Sequence, residues 1–402
     1  MMILWQSIIV IWLVFTCSCS FAALVEDLSI NGSVKSLNLI IDNSFPATTE
    51  IALSTNRLRI DLAGRLKEGP GIELSLEQQL LWANRPESVA LPNYRINRRF
   101  DLEKIWHEND HLSGQLQLDR FNLHSHTESF SWSVGRQAIG FGRISLFSPL
   151  DVIAPFPPDA LDLNVRPGVD AIKITQYFGM AGQLGAVAVF GDESDHNSYL
   201  LTAGENLNNI DLLILAGRLR DRAMFGLGLA GEIGKVGIKG EASWYRGVAV
   251  AQPGGDLQDH FGIAALEAWY RFDNGLVLIG EYLFNGYGSK RPQNYQRVAA
   301  SAPIQEGLGF LLARHYLLLG PSYQFHPLVT FNGLVILNIE DRSSMLRPQL
   351  VFSLADNFQL DIFWTFTTGR KIEVDPLTAV PVIRSEFGSV GESGGFFLRW
   401  YF

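Results

Sequence analysis

Cysteine is almost absent from this 402-residue chain. The only two, Cys17 and Cys19, fall in the opening segment MMILWQSIIVIWLVFTCSCSFAALVEDL. That segment carries an uncharged apolar stretch from Ile8 to Phe15 and a small-x-small pair, Ser20 and Ala22. It reads as a secretory signal over residues 1–22, cleaved after Ala22. Lys and Arg are missing from its start, a departure from the usual signal pattern. An uncleaved anchor is one competing reading, but the apolar stretch is short for a spanning helix. A lipoprotein is another, but no Leu-small-small triplet precedes either cysteine. With the signal removed, residues 23–402 contain no cysteine. A structural disulfide, a Cys-ligated zinc or iron–sulfur centre and covalent c-type haem are then excluded.

Long apolar runs are also missing. No stretch of about 20 apolar residues follows the signal, so no helix can be expected to cross a bilayer. Charge is scarce too, at 18% of residues, against the roughly 25% usual in soluble domains. The balance of that charge is −9, which argues against a nucleic-acid partner. The strings GESGG at 391–395 and HENDH at 107–111 match GxSxG and HExxH, but the first leads into the alternating final strand and the second sits in no helical pattern, so neither has the setting those hydrolase signatures need. What is plentiful is glycine, with 38 residues, and aromatic side chains, at 11%. A moderately apolar chain, of mean hydropathy +0.11, without long runs fits strands that are apolar on one face only.

Period two is the dominant pattern, over stretches of about ten residues, the length a tilted strand needs to cross a bilayer. In NRLRIDLAGRL, Leu58, Ile60, Leu62 and Leu66 share one face, and Arg57, Arg59, Asp61 and Arg65 the other. A helix would scatter these charges; a strand separates them. The rhythm returns in GIELSLEQQLLW, SFSWSVGRQ, KVGIKGEASWYRG and NFQLDIFWTFTTGR. In the closing SGGFFLRWYF, Phe396, Leu398, Trp400 and Phe402 alternate with Arg399 and Tyr401. Left unpaired, such a tail would be a sticky edge. Here it is expected to close a barrel, and to offer the barrel assembly machinery its recognition strand. IDLLILAGRL and PLVTFNGLVILNIE are apolar on both faces and do not declare an orientation.

The predicted fold is therefore all-β: a transmembrane antiparallel up-and-down barrel of about 18 strands, within a range of 16–20. Candidate strands run from about residue 55 to the end. An extra pair is available near residues 34 and 384. Connections supply an independent sign. Going backward from the C-terminus, long and short turns alternate: residues 369–392 long, ADN short, EDRSS intermediate, QFHP short, residues 285–308 long, FDNG short. A barrel with one short-turned end sorts its loops this way. Trp82, Trp106, Trp244, Tyr245, Trp269, Tyr270, Tyr282, Phe284, Trp400 and Tyr401 cluster near strand ends and are expected in two interfacial girdles.

One segment breaks the pattern. AIGFGRISLFSPLDVIAPFPPDALDLNVRPG, near residues 138–168, holds Pro149, Pro155, Pro157, Pro158 and Pro167, which exclude a central strand. It is too apolar to float in water and should pack on something. We expect it to fold inward and narrow the lumen, or else to staple the rim. Folded inward, Asp151, Asp159, Asp162, Arg166 and Asp170 would line or brace a constriction. They would face Arg136 and Lys173, with Arg57, Arg59 and Arg65 on the early strands. VGRQAIGFGRISLFSPLDVIAPF followed by RPGVDAIKI resembles a segment of proteobacterial outer-membrane porin-like proteins. In these, a strand ending Gly-Arg-Gln enters a Gly- and Pro-containing loop and a strand opening Pro-Gly-x-Asp-Ala follows. The likeness is sharp over residues 134–174. It implies an outer-membrane pore of a Gram-negative bacterium and transfers no substrate, because no ligand-binding residue can be matched.

Candidate chemistry is thin. His124 and His126, near Glu128, share one side of an extended stretch and could hold a metal, but read better as a polar turn. His260 beside Asp256 and Asp259 is the best enzyme-like group, and loop acids near a histidine are usually just solvated. No catalytic residue, resident metal or cofactor is expected. Two readings compete beyond an enzyme. One is a porin, water-filled, surrounded by lipid and passing small solutes or ions by diffusion. The other is a sheath whose lumen holds a partner such as a periplasmic multihaem cytochrome. The transported solute, and whether the barrel is a monomer or a homo-oligomer, stay open at this point.

Overall fold

The structure, a computed structural model, describes residues 25–43, 49–86, 97–250, 252–374 and 381–402. The segment read as a signal, with Cys17 and Cys19, lies outside the described residues. Strands β1 (Val25–Asn43), β2 (Thr49–Leu66) and β3 (Gly71–Ala83) precede a short strand, β4 (Glu103–Glu108). Then come β5 (Leu112–His126), β6 (Phe130–Gln137), β7 (Val169–Phe178), β8 (Gly182–Phe190), β9 (Ser198–Leu207) and β10 (Ile210–Leu219). The run continues as β11 (Arg222–Ile233), β12 (Val236–Arg246), β13 (His260–Arg271), β14 (Val277–Asn285), β15 (His315–His326) and β16 (Val329–Asn338). It ends with β17 (Ser344–Ala355), β18 (Phe358–Thr368), β19 (Glu373–Val374), β20 (Pro381–Val382) and β21 (Ser393–Tyr401).

Eighteen of these form one closed antiparallel wall. Each strand pairs with the next, omitting β4, until β18 meets β21 and β21 returns to β1. The seam is tight: Gly32 and Phe402 exchange backbone hydrogen bonds at 2.8 and 3.0 Å. Closure leaves the wall without a free first or last strand, which a bilayer interior requires. Of the extra pair of candidates, the first builds β1. The second does not join the wall. Pro381 lacks an N–H to give a ladder, β20 pairs only with β19, and the chain then enters a 3₁₀ turn at Phe387–Ser389.

Turns sort by end. Residues 67–70, 127–129, 179–181, 234–235, 327–328 and 356–357 link strands at one end; 138–168, 247–259, 286–314 and 369–392 link them at the other. The exception is 220–221, a two-residue turn at the long-turn end. Outward side chains are large and apolar: Ile30, Phe121, Leu201, Phe225, Leu266 and Ile362 are all exposed. An exposed apolar surface of this extent marks a membrane contact. Phe396 and Trp400 of β21, and Phe402 just after it, are exposed on this outer face, whereas Phe397 is buried inside. The girdle expectation splits by parity. Trp82, Trp244, Tyr282 and Trp400 are exposed. Tyr245 is buried among the interior residues, and Tyr401 accepts a hydrogen bond from Asn164 of the inward loop at 3.0 Å. Adjacent residues of a strand face opposite ways, so Trp244 and Tyr245 cannot share a girdle.

Strand β6 leaves the wall early, after Gln137. Gly135, with φ of +118°, makes this exit possible: a Cβ there would meet Phe121 O at 2.2 Å. Above it, β4 pairs with the upper part of β5, where β6 would otherwise have continued. The chain from residue 138 turns into the barrel.

Candidate functional site

The inward segment, residues 138–168, divides the lumen. On its outbound course it crosses to the far wall at mid-strand height, where β12, β13 and β14 each present one inward glutamate. Glu241 accepts the backbone N–H groups of Arg143 at 2.6 Å, Ile144 at 3.2 Å and Leu150 at 3.3 Å, and the Ser148 hydroxyl. Glu267 accepts the Ser145 N–H at 2.6 Å and its hydroxyl at 3.1 Å, and is paired with Lys239 at 2.8 Å. Glu281 accepts the Phe147 N–H at 3.2 Å. A loop without secondary structure has backbone donors to satisfy when buried; here three carboxylates satisfy them.

Apolar burial adds to this. Ile139, Ile144, Phe147, Leu150, Val152 and Ile153 pack with inward side chains of β7 to β16, among them Val187, Leu213, Leu215 and Ile336. Leu150, with 0% of its surface exposed, sits in a socket made by Gly226 and Gly228 of β11. A Cβ on either glycine would come within 2.6 and 2.9 Å of its methyl carbons.

The return course meets the other half of the wall. Asp162 pairs with Lys35 of β1 at 2.9 Å and Arg57 of β2 at 3.6 Å. Asn164 donates to Tyr401, and Arg347 of β17 donates to the Asp159 carbonyl at 2.6 Å. Within the loop, Arg166 pairs with Asp151 at 2.5 Å and lies over the Phe156 ring at 4.9 Å. Burial pushes the Asp151 carboxyl up to about 6, against the pull of Arg166.

This half of the lumen is polar. Arg59 pairs with Asp119 at 2.6 Å and Asp61 at 2.8 Å and has Glu77 at 3.6 Å. Arg120 joins the same Asp119 at 2.7 Å, and Asn122 donates to Glu73 at 2.8 Å. Arg399 pairs with Asp361 at 2.5 Å. Arg57 and Asp61 keep 29% and 36% of their side-chain surface accessible although they lie on the inward face. Water therefore reaches this side. A cavity of about 410 Å³ lies toward the long-turn end, between Leu161, Phe310, Phe363 and Phe387, with Arg347 and Glu386 among its polar lining.

The ten expected lining residues separate into groups. Arg57 and Asp162 meet across the lumen; Arg166 and Asp151 meet within the loop; Asp159 serves through its carbonyl. Arg59 belongs to the Asp119 cluster. Arg136 and Asp170 pair at 2.9 Å, and Arg136 also donates to Leu118 O and Phe100 O. They oppose the outward Phe121 and plug the gap where β6 stops, which keeps them out of the lumen. Arg65 is exposed at the short-turn end, opposite Gly71, far along the strand from the loop. Lys173 is half-buried on the inward side of β7 between Ser133 and Val187. Residues that pattern reading passed over include Lys35, Asp119, Glu241, Glu267, Glu281 and Arg347. For Glu267 and Glu281 a lone inward acid on an otherwise apolar strand face was the available signal. Among the described residues no group of three His, Asp or Glu is placed to hold a metal. His260 stacks on Trp244 at 5.5 Å while Asp256 is engaged by Arg222 at 2.8 Å, so that candidate group does not assemble.

The long loops fold over the mouth. Arg222 and Arg220 both bind Glu306, at 2.5 and 2.9 Å. Burial alone would raise the Glu306 carboxyl; the two arginines outweigh it and hold it below the usual carboxylate range. Glu386 accepts from Leu312 N at 2.7 Å, Asn338 Nδ2 at 2.8 Å and the Tyr316 hydroxyl. Burial pushes it up to about 7 against these hydrogen bonds. A raised carboxyl favours the folded lid in its protonated form. Its contribution is complete below the unfolded value near 4.5 and is lost as pH rises through about 7. We expect protease cleavage within residues 381–392 to be about tenfold slower at pH 5.5 than at pH 8, relative to Glu386→Gln, whose rate lacks this dependence. Parallel pH profiles for the two proteins would contradict the assignment.

A closed antiparallel cylinder, apolar outside, half polar inside and narrowed by its own loop, is a porin-type barrel. No protein-family model matches the chain, and no curated protein matches it. Solved structures do. OccAB3 of Acinetobacter baumannii is 11% identical with a TM-score of 0.57, over 94% of this chain and 99% of that one. OccD3 (OpdP) of Pseudomonas aeruginosa is 12% identical with a TM-score of 0.54, over 94% and 92%. A BenF-like porin from Pseudomonas fluorescens Pf-5 is 9% identical with a TM-score of 0.56, over 94% and 99%. At these identities the likeness is one of fold.

Proposed function

We propose that the chain is a porin of the Gram-negative outer membrane, a water-filled channel through which small polar solutes or ions diffuse. One observation carries this: charged side chains that water can reach line one side of a lumen whose other side is sealed by the inward loop. Diffusion needs no chemical step, only an opening whose width and charge the wall and loop set. The polar side supports a particular kind of opening. Lys35, Arg57, Arg59, Arg120 and Arg399 each stand against a carboxylate. Compensated charge of this sort favours small polar solutes over a single sign of ion. The fold shared with OccD3 and with a BenF-like porin supports a channel. Export through residues 1–22 and recognition of β21 by the barrel assembly machinery belong to the same proposal. The sheath reading lacks room: the space a cytochrome would occupy is taken by residues 138–168.

Purified protein in a planar bilayer should give discrete conductance steps. Asp162→Asn removes the acid between Lys35 and Arg57, and the anion-to-cation permeability ratio should rise about threefold. Absence of any conductance would refute the channel, and an unchanged ratio would remove Asp162 from the permeation path.

A further inference from the structure

Loops 247–259 and 286–314 enclose a second cavity at the long-turn rim, of about 370 Å³ and open to solvent. Lys290, Arg291, Arg297 and Arg314 line it, and no acidic side chain does. Arg314 donates to Gly288 O at 3.2 Å. Among the described residues none of the four has a carboxylate within ion-pair distance, and the nearby Asp256 is engaged by Arg222. This contrasts with the lumen, where Arg59, Arg120 and Arg399 are all paired. Four uncompensated cations gathered in one concavity of a chain with net charge −9 repel one another unless a polyanion enters.

The position of the pocket narrows the identity of that anion. On the outer surface just below it, His315 stacks with Tyr282 at 6.0 Å and packs against Phe284 at 5.4 Å; beside them Trp244 stacks on His260. Tyr282 Oη and His315 Nδ1 are 2.6 Å apart. A band of amphipathic rings marks the level of lipid headgroups. Arg314 precedes His315 directly, and the hairpin continues upward, with Ser289 N donating to Leu312 O at 3.0 Å. The pocket thus begins where the rings end.

We propose that this pocket binds a phosphate-bearing headgroup of the outer leaflet, with Arg291, Arg297 and Lys290 donating to the phosphate oxygens and Arg314 closing the side next to the wall. Guanidinium forks match phosphate geometry and give charge-assisted hydrogen bonds. The proposal rests on the outer-membrane porin reading, because only then do the long turns meet a phosphorylated glycolipid.

The test uses the folded full-length barrel in detergent. Native mass spectrometry compares retention of bis-phosphorylated lipid A with retention of its dephosphorylated form, with inorganic pyrophosphate as the soluble probe. We expect about a tenfold preference for the phosphorylated lipid, competition by pyrophosphate, and loss of both in Lys290→Gln/Arg291→Gln/Arg297→Gln. Pyrophosphate binding that the triple variant loses, without lipid retention, would uphold the anion site and overturn its lipid source. Equal retention of the two lipids without pyrophosphate binding, or equal retention by wild type and variant, would overturn the site. A heat-shift gel confirms that the variant folds. Bilayer conductance of the wild-type protein reports the porin reading separately.

Discussion

Replacing Glu241, Glu267 and Glu281 together by alanine should raise single-channel conductance about threefold while leaving the barrel closed. The wall does not depend on these side chains, because its strands are held by backbone ladders from β12 to β14. The inward loop does. Seven donors from residues 143–150 end on the three carboxylates, five of them backbone N–H groups. Each buried donor left without an acceptor costs about 1–3 kcal/mol. Summed over the donors, that loss is comparable to what burial of the segment's apolar side chains contributes, so the balance should tip toward water. Glu241→Gln isolates the cause. The amide keeps one acceptor oxygen, so its conductance should stay close to that of the wild type. Cysteine placed at Ser145 gives a second readout: it should be slow to label in the parent and fast in the triple alanine variant. Unchanged conductance together with unchanged labelling would show that apolar packing, through Leu150 in its glycine socket, holds the loop without the glutamates.

The contrast between strands and loop explains how far the sequence could be read. β2 was legible because its two faces differ: Leu58, Ile60 and Leu62 meet lipid, and Arg57, Arg59 and Asp61 meet water and ions. β10 and β16 were ambiguous for a physical reason. Their inward faces, with Leu213, Leu215, Leu334 and Ile336, pack against the loop instead of water, so both faces are apolar. Two-sided apolar strands were therefore the trace of the loop's landing place. The loop itself announced its direction through its prolines and apolar content, but its partners are set by tertiary geometry. Nothing local tells Glu241 from a solvated lumen acid. Arg136 shows the opposite limit. Its parity is outward, its neighbours Trp132 and Val134 face lipid, and only the early exit of β6 makes a polar gap for it to fill. The tally of strands illustrates compensation: about eighteen were expected from residue 55 onward, whereas the wall draws one of its eighteen from β1, before that point.

Asp119→Ala should lower the unfolding transition of the detergent-solubilised barrel by roughly 10 °C. Asp119 is the unpaired residue of a bulge in β5, where Ser75 faces Arg120 and Leu76 faces Leu118. The bulge turns its carboxylate into a junction. Arg59 and Arg120 donate at 2.6 and 2.7 Å, Arg98 at 3.1 Å, and the loop's return point, Gly168 N, at 2.9 Å. Removing it brings three buried guanidinium groups together with too few acids. Arg59 keeps Asp61, and Arg98 keeps Glu103, but Arg120 is left with carbonyl acceptors only. Breaking a buried pair by deleting one partner costs about 3–5 kcal/mol, mostly through the charge left behind. That cause makes a second prediction. Asp119→Ala/Arg120→Ala should recover part of the loss, because the most isolated cation is gone, whereas Arg120→Ala alone should destabilise less than Asp119→Ala. Additive losses in this cycle would mean that the two side chains act independently. The gap plugged by Arg136 and Asp170 would then be what secures the return of the loop to the wall.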